Sequence, residues 1–235
     1  MKLYHSEIES RRLSRTVYRG LLDAIDPEWI SGQIQASGID LLIIRVPVTL
    51  AQQMHRLNDM QYEYIIADTL VYYTCDLAGC RPGVMANPDL VFTPLGKDNQ
   101  VFLNPIISES FKNYCNNYHS NPLIHVDIVS AYKEWAGSFL YDEEKGSYSW
   151  IIETGQDKCA FVCCQFEQDL CEIVLNGVTP ARSGRGIYGD IIRHCQSFFK
   201  KREAASLIIS TQIYNYAVQK VWARNGFYLN KAYYT

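Results

Sequence analysis

Apolar positions in the C-terminal half of the chain follow first the pattern of strands and then that of helices. Three successive segments, residues 147–153, 158–166 and 169–178, are rich in apolar side chains and separated by short polar turns, which is typical of an antiparallel meander. The middle segment is apolar almost throughout, so we predict that it lies at the centre of the sheet. The same patterns predict a strand over residues 206–211, a helix over 215–225 and a last strand over 227–234.

A glycine-rich turn joins the third strand of the meander to a helix. Pro180 ends the strand, and Gly184 and Gly186 permit backbone conformations that a side chain would forbid. The apolar residues that follow recur at helical spacing: Ile187, Ile191, Ile192, Cys195, Phe198 and Phe199. The free N–H groups and the positive dipole end of this helix would face an anion at the turn, where Arg182 and Arg185 add positive charge. We predict a phosphate-binding turn beside two parallel neighbouring strands, with the ligand at their C-terminal ends.

The N-terminal half gives a less regular pattern. Residues 1–30 are compatible with an amphipathic helix, and a strand over 41–46, a helix from about Thr49 and strands over 62–66 and 69–75 follow. Residues 78–100 are rich in Gly, Pro, Asn and Asp and predict a long connection, after which residues 101–107 resemble a strand. A helix then runs through Ile128 and Trp135, with Trp135 placed in the core. We predict two domains, residues 1–115 and 116–235.

Composition narrows the class of protein. The chain has 235 residues, of which 48% are hydrophobic and 20% charged, enough for a soluble globular protein with a substantial core. A net charge of −3 argues against general nucleic-acid binding, so the ligand at the turn is expected to be small. The longest apolar run is interrupted by Arg45 and Pro47, and no membrane segment or leader is predicted. A cytoplasmic location is therefore the default expectation.

Cysteines and histidines do not suggest a metal site. Four of the eight cysteines lie in apolar, strand-like segments, and the spacing of Cys75 and Cys80 does not suit a zinc knuckle. The five histidines have no spacing that places two ligands on one face of an element. We expect buried free thiols and no metal ion.

Two motifs resemble the GNAT family of acyl-CoA-dependent N-acyltransferases. The turn Ala181-Arg182-Ser183-Gly184-Arg185-Gly186 resembles the Arg/Gln-x-x-Gly-x-Gly/Ala turn that binds the pyrophosphate of coenzyme A in that family. The stretch from Asn215 to Phe227 is similar to the family's Asn-x-x-Ala/Val-x-x-x-Tyr-x-x-x-Gly-Phe segment. Thr211 and Gln212 before this asparagine, together with residues 132–138, are similar to the subgroup that acylates nucleotide-linked amino sugars, the TDP-fucosamine acetyltransferase type.

The resemblance implies a fold, a cofactor and a reaction. The expected fold is α+β, with a mixed, mainly antiparallel sheet flanked by helices and a smaller N-terminal α/β domain that completes the acceptor site. The expected enzyme is an N-acyltransferase that moves an acyl group from acyl-CoA to a nucleotide-linked amino sugar by direct attack. The residues expected to bind the coenzyme are Val178, Arg182, Ser183, Gly184, Arg185, Gly186, Ile187, Tyr188 and Asn215.

Three positions depart from the family pattern, and one of them leaves open which group protonates the leaving thiolate. Ala181 stands where Arg or Gln is usual, Tyr188 where a small residue is usual, and Trp222 where many members have the tyrosine that protonates the leaving thiolate. An indole N–H is not an acid near neutral pH, so either Tyr214, Tyr216 or water protonates the thiolate, or the thiolate leaves without a proton.

Several functional alternatives remain open in the sequence. Glu172 and His125 rank first among the candidate bases, ahead of Glu167 and Asp169, although an ordinary structural or solvated role is the commoner one for each of these residue types. The acceptor could also be a peptide, polyamine or antibiotic amine. The chain could instead be a non-catalytic coenzyme A binding module. Oligomeric state stays open between a monomer and a homodimer.

Overall fold

The computed structural model describes residues 2–122 and 124–235, and the chain forms two compact units. The first unit comprises Met1–Val71, Cys115–Val126 and Lys231–Thr235, and the second comprises Tyr72–Tyr114 and Asp127–Asn230. Strands β4 (Thr69–Asp76) and β10 (Tyr228–Tyr234) each contribute residues to both units. The predicted boundary between domains at residue 115 stays a prediction. Leu123, at the start of the second predicted domain, lies outside the described residues.

The first unit is built on parallel and antiparallel strand pairs. Its elements before β4 are β1 (Lys2–His5), α1 (Glu7–Leu13), β2 (Val17–Leu21), α2 (Pro27–Ser37), β3 (Leu41–Pro47) and a 3₁₀-helical segment (Val48–Asp59). β2 runs antiparallel to β1 and parallel to β3, and β3 pairs with the end of β10. The core of this unit contains Leu22, Ile25, Ile30, Val46 and Leu57. Asp26 caps α2 by accepting a hydrogen bond from the Trp29 N–H, which satisfies one of the helix's free donors.

Five expectations for local structure were wrong. Residues 78–100 are not a connection throughout, because a strand, Val91–Pro94, forms within them and pairs into the sheet. Residues 1–30 do not form one helix, because α1 ends at Leu13, where Ser14 adopts a left-handed conformation. Residues 62–66 form no regular strand, and Tyr64 and Ile65 are exposed. Residues 101–107 belong to helical structure instead, since their apolar side chains are spaced to bury one face of a helix. Trp135 is 40% exposed rather than in the core.

The second unit contains a seven-stranded sheet whose order is β10-β4-β9-β8-β7-β6-β5. Its further elements are β5 (Val91–Pro94), α3 (Leu103–Phe111), α4 (Ile128–Gly137), β6 (Ser147–Thr154), β7 (Asp157–Glu167), β8 (Leu170–Val178), α5 (Ile187–Lys200), β9 (Ser206–Gln212) and α6 (Tyr216–Arg224). β6 to β8 form an antiparallel meander, β5 pairs with β6 in the antiparallel direction, and β8 pairs with β9 in parallel. The predicted meander, the parallel pair and the mixed, mainly antiparallel α+β fold are confirmed.

Side-chain alternation along the central strands places helices on both faces of this sheet. On β7, Val162 and Cys164 join the cluster that includes Ile191 and Phe199 of α5. Phe161 and Cys163 on the same strand face the opposite way and join the cluster formed with α3 and α4. Because β7 is buried on both faces, nearly all of its residues are apolar.

No helix in residues 2–122 or 124–235 has the length and apolar character needed to cross a membrane.

Candidate functional site

A β-bulge in β8 marks the place where this strand separates from β9. The register between β7 and β8 changes from Cys163 opposite Leu175 to Cys164 opposite Ile173, so Val174 is an extra residue on β8. The parallel pairing of β8 with β9 also ends at Ile173, which lies opposite Ile209. Within the described residues, the part of β8 from Val174 onward therefore has no registered partner in β9.

The separation leaves the backbone of β8 with donors that face away from β7. The Thr179 N–H donates to the Cys159 carbonyl oxygen on β7, with an N–O distance of 2.8 Å. Because successive N–H groups of an extended strand point to opposite edges, the Val178 N–H points toward the edge where β9 has separated. This N–H is therefore directed at the space that a ligand carbonyl would have to enter.

The glycine turn connects the end of β8 to the N-terminus of α5. A short 3₁₀ segment, Pro180–Arg182, is followed by Gly184 at φ +76° and Gly186 at φ +85°. Gly186 is the N-cap of α5 and provides no capping side chain. The first N–H groups of this 14-residue helix are consequently not bonded to a cap side chain. The turn combines free donors with the positive end of the helix dipole, as an anion site requires.

A buried carboxylate fixes the loop that lies beside this turn. Asp190, in the first turn of α5, has no exposed side-chain surface and accepts from the Ala86 N–H at 2.8 Å and the Asn87 N–H at 2.9 Å. It also accepts from the Asn87 side chain at 2.8 Å and from Arg193 at 2.7 Å. Burial acts to raise the pKa of Asp190, but these hydrogen bonds outweigh it and the pKa is lowered. The Asn87 amide also donates to the Arg185 carbonyl oxygen, which ties the loop to the turn.

The two arginines of the turn differ in their partners. Arg182 forms an ion pair with Asp157, with an N–O distance of 2.7 Å. Arg185 is exposed, and across residues 2–122 and 124–235 its guanidinium forms no ion pair or hydrogen bond. Its charge is thus available to an anion at the turn. Ser183 is also exposed.

Polar side chains gather where β9 ends. Gln212 is buried and accepts a hydrogen bond from the Tyr114 hydroxyl. The Asn215 side chain donates to the Thr211 hydroxyl at 3.1 Å rather than capping α6. Tyr214 is 46% exposed in the turn between β9 and α6. These residues provide hydrogen-bonding groups at the C-terminal end of the strand that separates from β8.

Tyr188 and Trp222 contact each other next to the separated part of β8. The Trp222 indole Nε1 donates to the Tyr188 hydroxyl at 3.0 Å, and Trp222 is buried. Burial raises the pKa of Tyr188, and hydrogen bonds from Trp222 and from Asn176 of β8 act in the opposite direction. The phenol is therefore protonated at neutral pH, and its oxygen is held by donors from α6 and β8.

The overall arrangement matches solved structures of one superfamily. A GCN5-related N-acetyltransferase from Sphaerobacter thermophilus has 10% identity and a TM-score of 0.59, with 88% of this chain and 63% of that chain covered. A GCN5-related N-acetyltransferase from Kribbella flavida has 8% identity and a TM-score of 0.59, with 93% and 79% covered. The fold is that of the GCN5-related N-acetyltransferases, the GNAT fold. This chain thus spans slightly less than two thirds of the Sphaerobacter protein.

A third structure with the GNAT fold belongs to a larger fungal protein. The glucosamine N-acetyltransferase region of a multi-domain GH3 beta-N-acetylglucosaminidase has 10% identity and a TM-score of 0.59, with 98% of this chain and 30% of that chain covered. No protein-family model and no curated protein matches the sequence. At these identities the comparisons establish the GNAT fold and no more.

All but one of the residues predicted to bind coenzyme A follow one another along the chain from the end of β8 to the start of α5. Val178 ends β8, Gly184 and Gly186 form the turn, and Ile187 and Tyr188 open α5. Asn215 lies in the same unit, at the end of β9. Their assignment to the coenzyme stays a prediction. Sequence reasoning missed Asn176, Tyr114 and the buried Asp190, none of which belongs to the motifs quoted above.

Neither candidate base is one of the residues from the end of β8 to the start of α5. Glu172 is on β8 between Cys171 and Ile173, which both pack beneath α5, so its side chain points to the opposite face of the sheet. It precedes Asn176 by four residues, about 13 Å of extended strand. His125 is exposed and belongs to the first unit. The structure does not bring Glu172 and the turn together, and both candidate bases stay predictions.

The cysteines behave as buried structural residues for the most part. All eight lie in the described part of the chain and are free thiols, and six of them are buried. Burial raises the pKa of Cys171, and a hydrogen bond with Cys164 together with burial raises that of Cys195. Among the residues that the structure describes, no three His, Cys, Asp or Glu side chains are grouped to hold a metal ion.

Proposed function

We propose that this protein is an acyl-CoA-dependent N-acyltransferase that acylates the amine of a nucleotide-linked amino sugar. The observation that carries the proposal is the separation of β8 from β9 at the bulge, directly before the glycine turn that opens α5. A separation of this kind provides an entry for an extended acyl-pantetheine arm, and the turn provides an anion site at one end of it. The GNAT fold supports this reaction class.

The coenzyme is proposed to bind along the end of β8 and the turn. Its pyrophosphate would accept hydrogen bonds from the backbone N–H groups of Gly184 to Tyr188, with the charges of Arg182 and Arg185 nearby. The Val178 N–H, directed away from β7, would polarise the thioester carbonyl and stabilise the oxyanion that forms upon attack. Asn215 would order the pantetheine arm near the sulfur. Glu172 or His125 would accept the proton from the acceptor ammonium.

An amino sugar as acceptor is supported by two observations. The fungal protein with the same fold is described as a glucosamine N-acetyltransferase. In addition, α3 and α4 carry a connected set of aromatic rings, in which Phe111 stacks on Tyr132 with a centroid distance of 4.3 Å and Tyr132 lies 5.9 Å from Trp135. Trp135 is 40% exposed, and an exposed indole suits the flat face of a sugar ring or a nucleotide base.

Direct transfer is favoured over an acyl-cysteine intermediate. Cys171 and Cys195 are fully buried in the cluster beneath α5, and their raised pKa values keep both as thiols. A thiol is a much weaker nucleophile than a thiolate. The acceptor amine is therefore proposed to attack the thioester while both substrates are bound.

We expect initial-rate measurements with acetyl-CoA and a dTDP- or UDP-linked amino sugar to give intersecting double-reciprocal lines. The reason is that a ternary complex must form before any bond is broken. Parallel lines, together with a mass increase of one acyl group after incubation with acyl-CoA alone, would contradict direct transfer. Turnover with peptide or polyamine amines but not with amino sugars would replace the proposed acceptor. Coenzyme A binding without turnover of any amine would support a non-catalytic module instead.

A further inference from the structure

Two of the positions that depart from the GNAT pattern lie in contact with each other. Trp222 occupies the position where many members have a tyrosine, and Tyr188 occupies one where a small residue is usual. In the structure the Trp222 Nε1 donates to the Tyr188 hydroxyl at 3.0 Å. A phenol hydroxyl is therefore present beside α6, although it comes from α5 rather than from α6 itself.

The surroundings of this hydroxyl hold it in one place. Trp222 is 1% exposed, and the ring of Tyr73 contacts it edge-on with a centroid distance of 5.3 Å. Asn176 reaches the Tyr188 oxygen from β8, within the part of that strand that has no registered partner in β9. Burial raises the pKa of Tyr188, and the hydrogen bonds from Trp222 and Asn176 offset part of that rise. Because the phenol oxygen accepts from these two donors, its own proton is free to point to a third group.

We infer that Tyr188 is the proton donor to the departing thiolate, with Trp222 and Asn176 as positioning residues. The inference rests on the proposed function, since the sulfur would lie between β8 and β9 next to Asn176. When the acceptor nitrogen has attacked the thioester carbon, the C–S bond breaks and its electron pair stays on sulfur. The Tyr188 hydroxyl transfers its proton to that sulfur, and the phenolate keeps the electron pair of its O–H bond. The acceptor nitrogen loses one proton as an ammonium before attack and a second as the amide forms; one of these restores the phenol by way of water, and the other passes to solvent.

Other tyrosines in this part of the chain are less suited to the role. The exposed fractions of Tyr214 and Tyr216 are 46% and 65%, so neither phenol is held at a fixed position by burial. The Tyr114 hydroxyl donates to the Gln212 side chain, and its proton is already engaged. Tyr188 alone among these four combines donors that would stabilise a phenolate with a place beside the separated strand.

The test compares variants in which a single hydroxyl or N–H group is removed and an aromatic ring is kept. We expect Tyr188→Phe to lower kcat by about 100-fold, within the usual range for loss of a general acid, while the Kd for coenzyme A measured by calorimetry stays within about twofold. Tyr73→Phe is the matched control. The Tyr73 ring contacts the same indole, but its hydroxyl donates to the Gln219 side chain instead of to Trp222 or Tyr188. Tyr73→Phe should leave kcat unchanged.

The positioning role of Trp222 is tested by a double-mutant cycle. Trp222→Phe removes the donor to Tyr188 and is expected to lower kcat by about fivefold, whereas the double variant should be no slower than Tyr188→Phe, because Trp222 acts through the missing hydroxyl. The solvent isotope effect on kcat should also be smaller in Tyr188→Phe than in the wild-type enzyme.

The outcomes separate this inference from the proposed function. A Tyr188→Phe enzyme with full kcat, in a wild type that binds coenzyme A and turns over, would overturn the inference and leave the function standing. If the two decreases in kcat multiply in the double variant, Trp222 does not act through the Tyr188 hydroxyl, and the inference is overturned as well. A wild type that neither binds coenzyme A nor transfers an acyl group would overturn the proposed function, and the inference with it.

Discussion

Replacement of Asp190 with alanine is expected to lower the free energy of unfolding by about 3 kcal/mol or more. The carboxylate is completely buried and accepts four hydrogen bonds, two from the backbone N–H groups of Ala86 and Asn87, one from the Asn87 side chain and one from Arg193. Its removal leaves three neutral donors and the Arg193 guanidinium without their acceptor, and each buried donor left unsatisfied costs about 1–3 kcal/mol. Urea denaturation of the two proteins measures the difference.

The matched control is Arg193→Gln, which removes one donor but leaves Asp190 with three others. Because Asp190 keeps its three neutral donors and Arg193 is 24% exposed, the loss should be about 1.5 kcal/mol, the low end for a hydrogen bond to a charged group. The Asp190→Ala variant should also loosen the loop at Ala86, since Asn87 would keep only its bond to the Arg185 carbonyl oxygen. An Asp190→Ala protein as stable as the wild type would mean that the loop is not held in this way.

The unfolding free energy is expected to contain a contribution from His194 of about 3 kcal/mol that is lost between pH 6.5 and pH 4. His194 stacks on Phe92 with a centroid distance of 3.8 Å and lies against Trp150 and Phe198. Burial, assisted by the positive charge of Lys201, lowers its pKa from 6.5 to about 4. In this pH range the unfolded chain takes up the proton and the folded protein does not. Stability is therefore complete above pH 6.5 and falls as the pH decreases, by about 1.4 kcal/mol per unit.

His194→Phe isolates this contribution from that of the carboxyl groups that titrate near pH 4. The variant keeps an aromatic ring against Phe92 and has no group to protonate. The difference in unfolding free energy between variant and wild type should shift by about 3 kcal/mol in favour of the variant from pH 7.5 to pH 4. A difference that is constant over this range would show that His194 is protonated in the folded protein near its ordinary pKa.

The sequence was sufficient for the parts of the fold that have strong periodic patterns. The meander of β6, β7 and β8 could be predicted because β7 is buried on both faces and its neighbours are bounded by polar turns. The parallel pair of β8 and β9 followed from the handedness rule for a strand, helix and strand. The GNAT fold itself could be recognised from the glycine turn and the segment that begins at Asn215.

Hydrophobic patterns gave the wrong element where a short apolar run fits both a strand and a helix. Residues 101–107 resemble a strand, yet Leu103, Ile106 and Ile107 lie on the buried face of α3, with Pro105 tolerated in its first turn. The bulge at Val174 could not be predicted, because it is defined by the register with β7. The Tyr188–Trp222 contact joins residues 34 positions apart, and no pattern in the sequence predicted it.

Calorimetry with Gly186→Val is the most direct measurement of whether coenzyme A binds at the glycine turn. Gly186 has φ +85°, where a branched side chain strains the turn, and a Cβ there would lie 3.4 Å from Ala86 Cβ and 3.5 Å from the Asn87 side-chain nitrogen. Gly38→Val is the matched control. Gly38 also has a positive φ, at +57°, but it lies in the first unit, and a Cβ added there would have no side chain or non-adjacent backbone within 4 Å. Both variants carry a similar backbone strain.

We expect wild type and Gly38→Val to bind coenzyme A with the same affinity, and folded Gly186→Val to bind more weakly by about 2 kcal/mol, or roughly 30-fold in Kd. Equal affinity of all three proteins, with each shown to be folded, would place the coenzyme elsewhere and contradict the account.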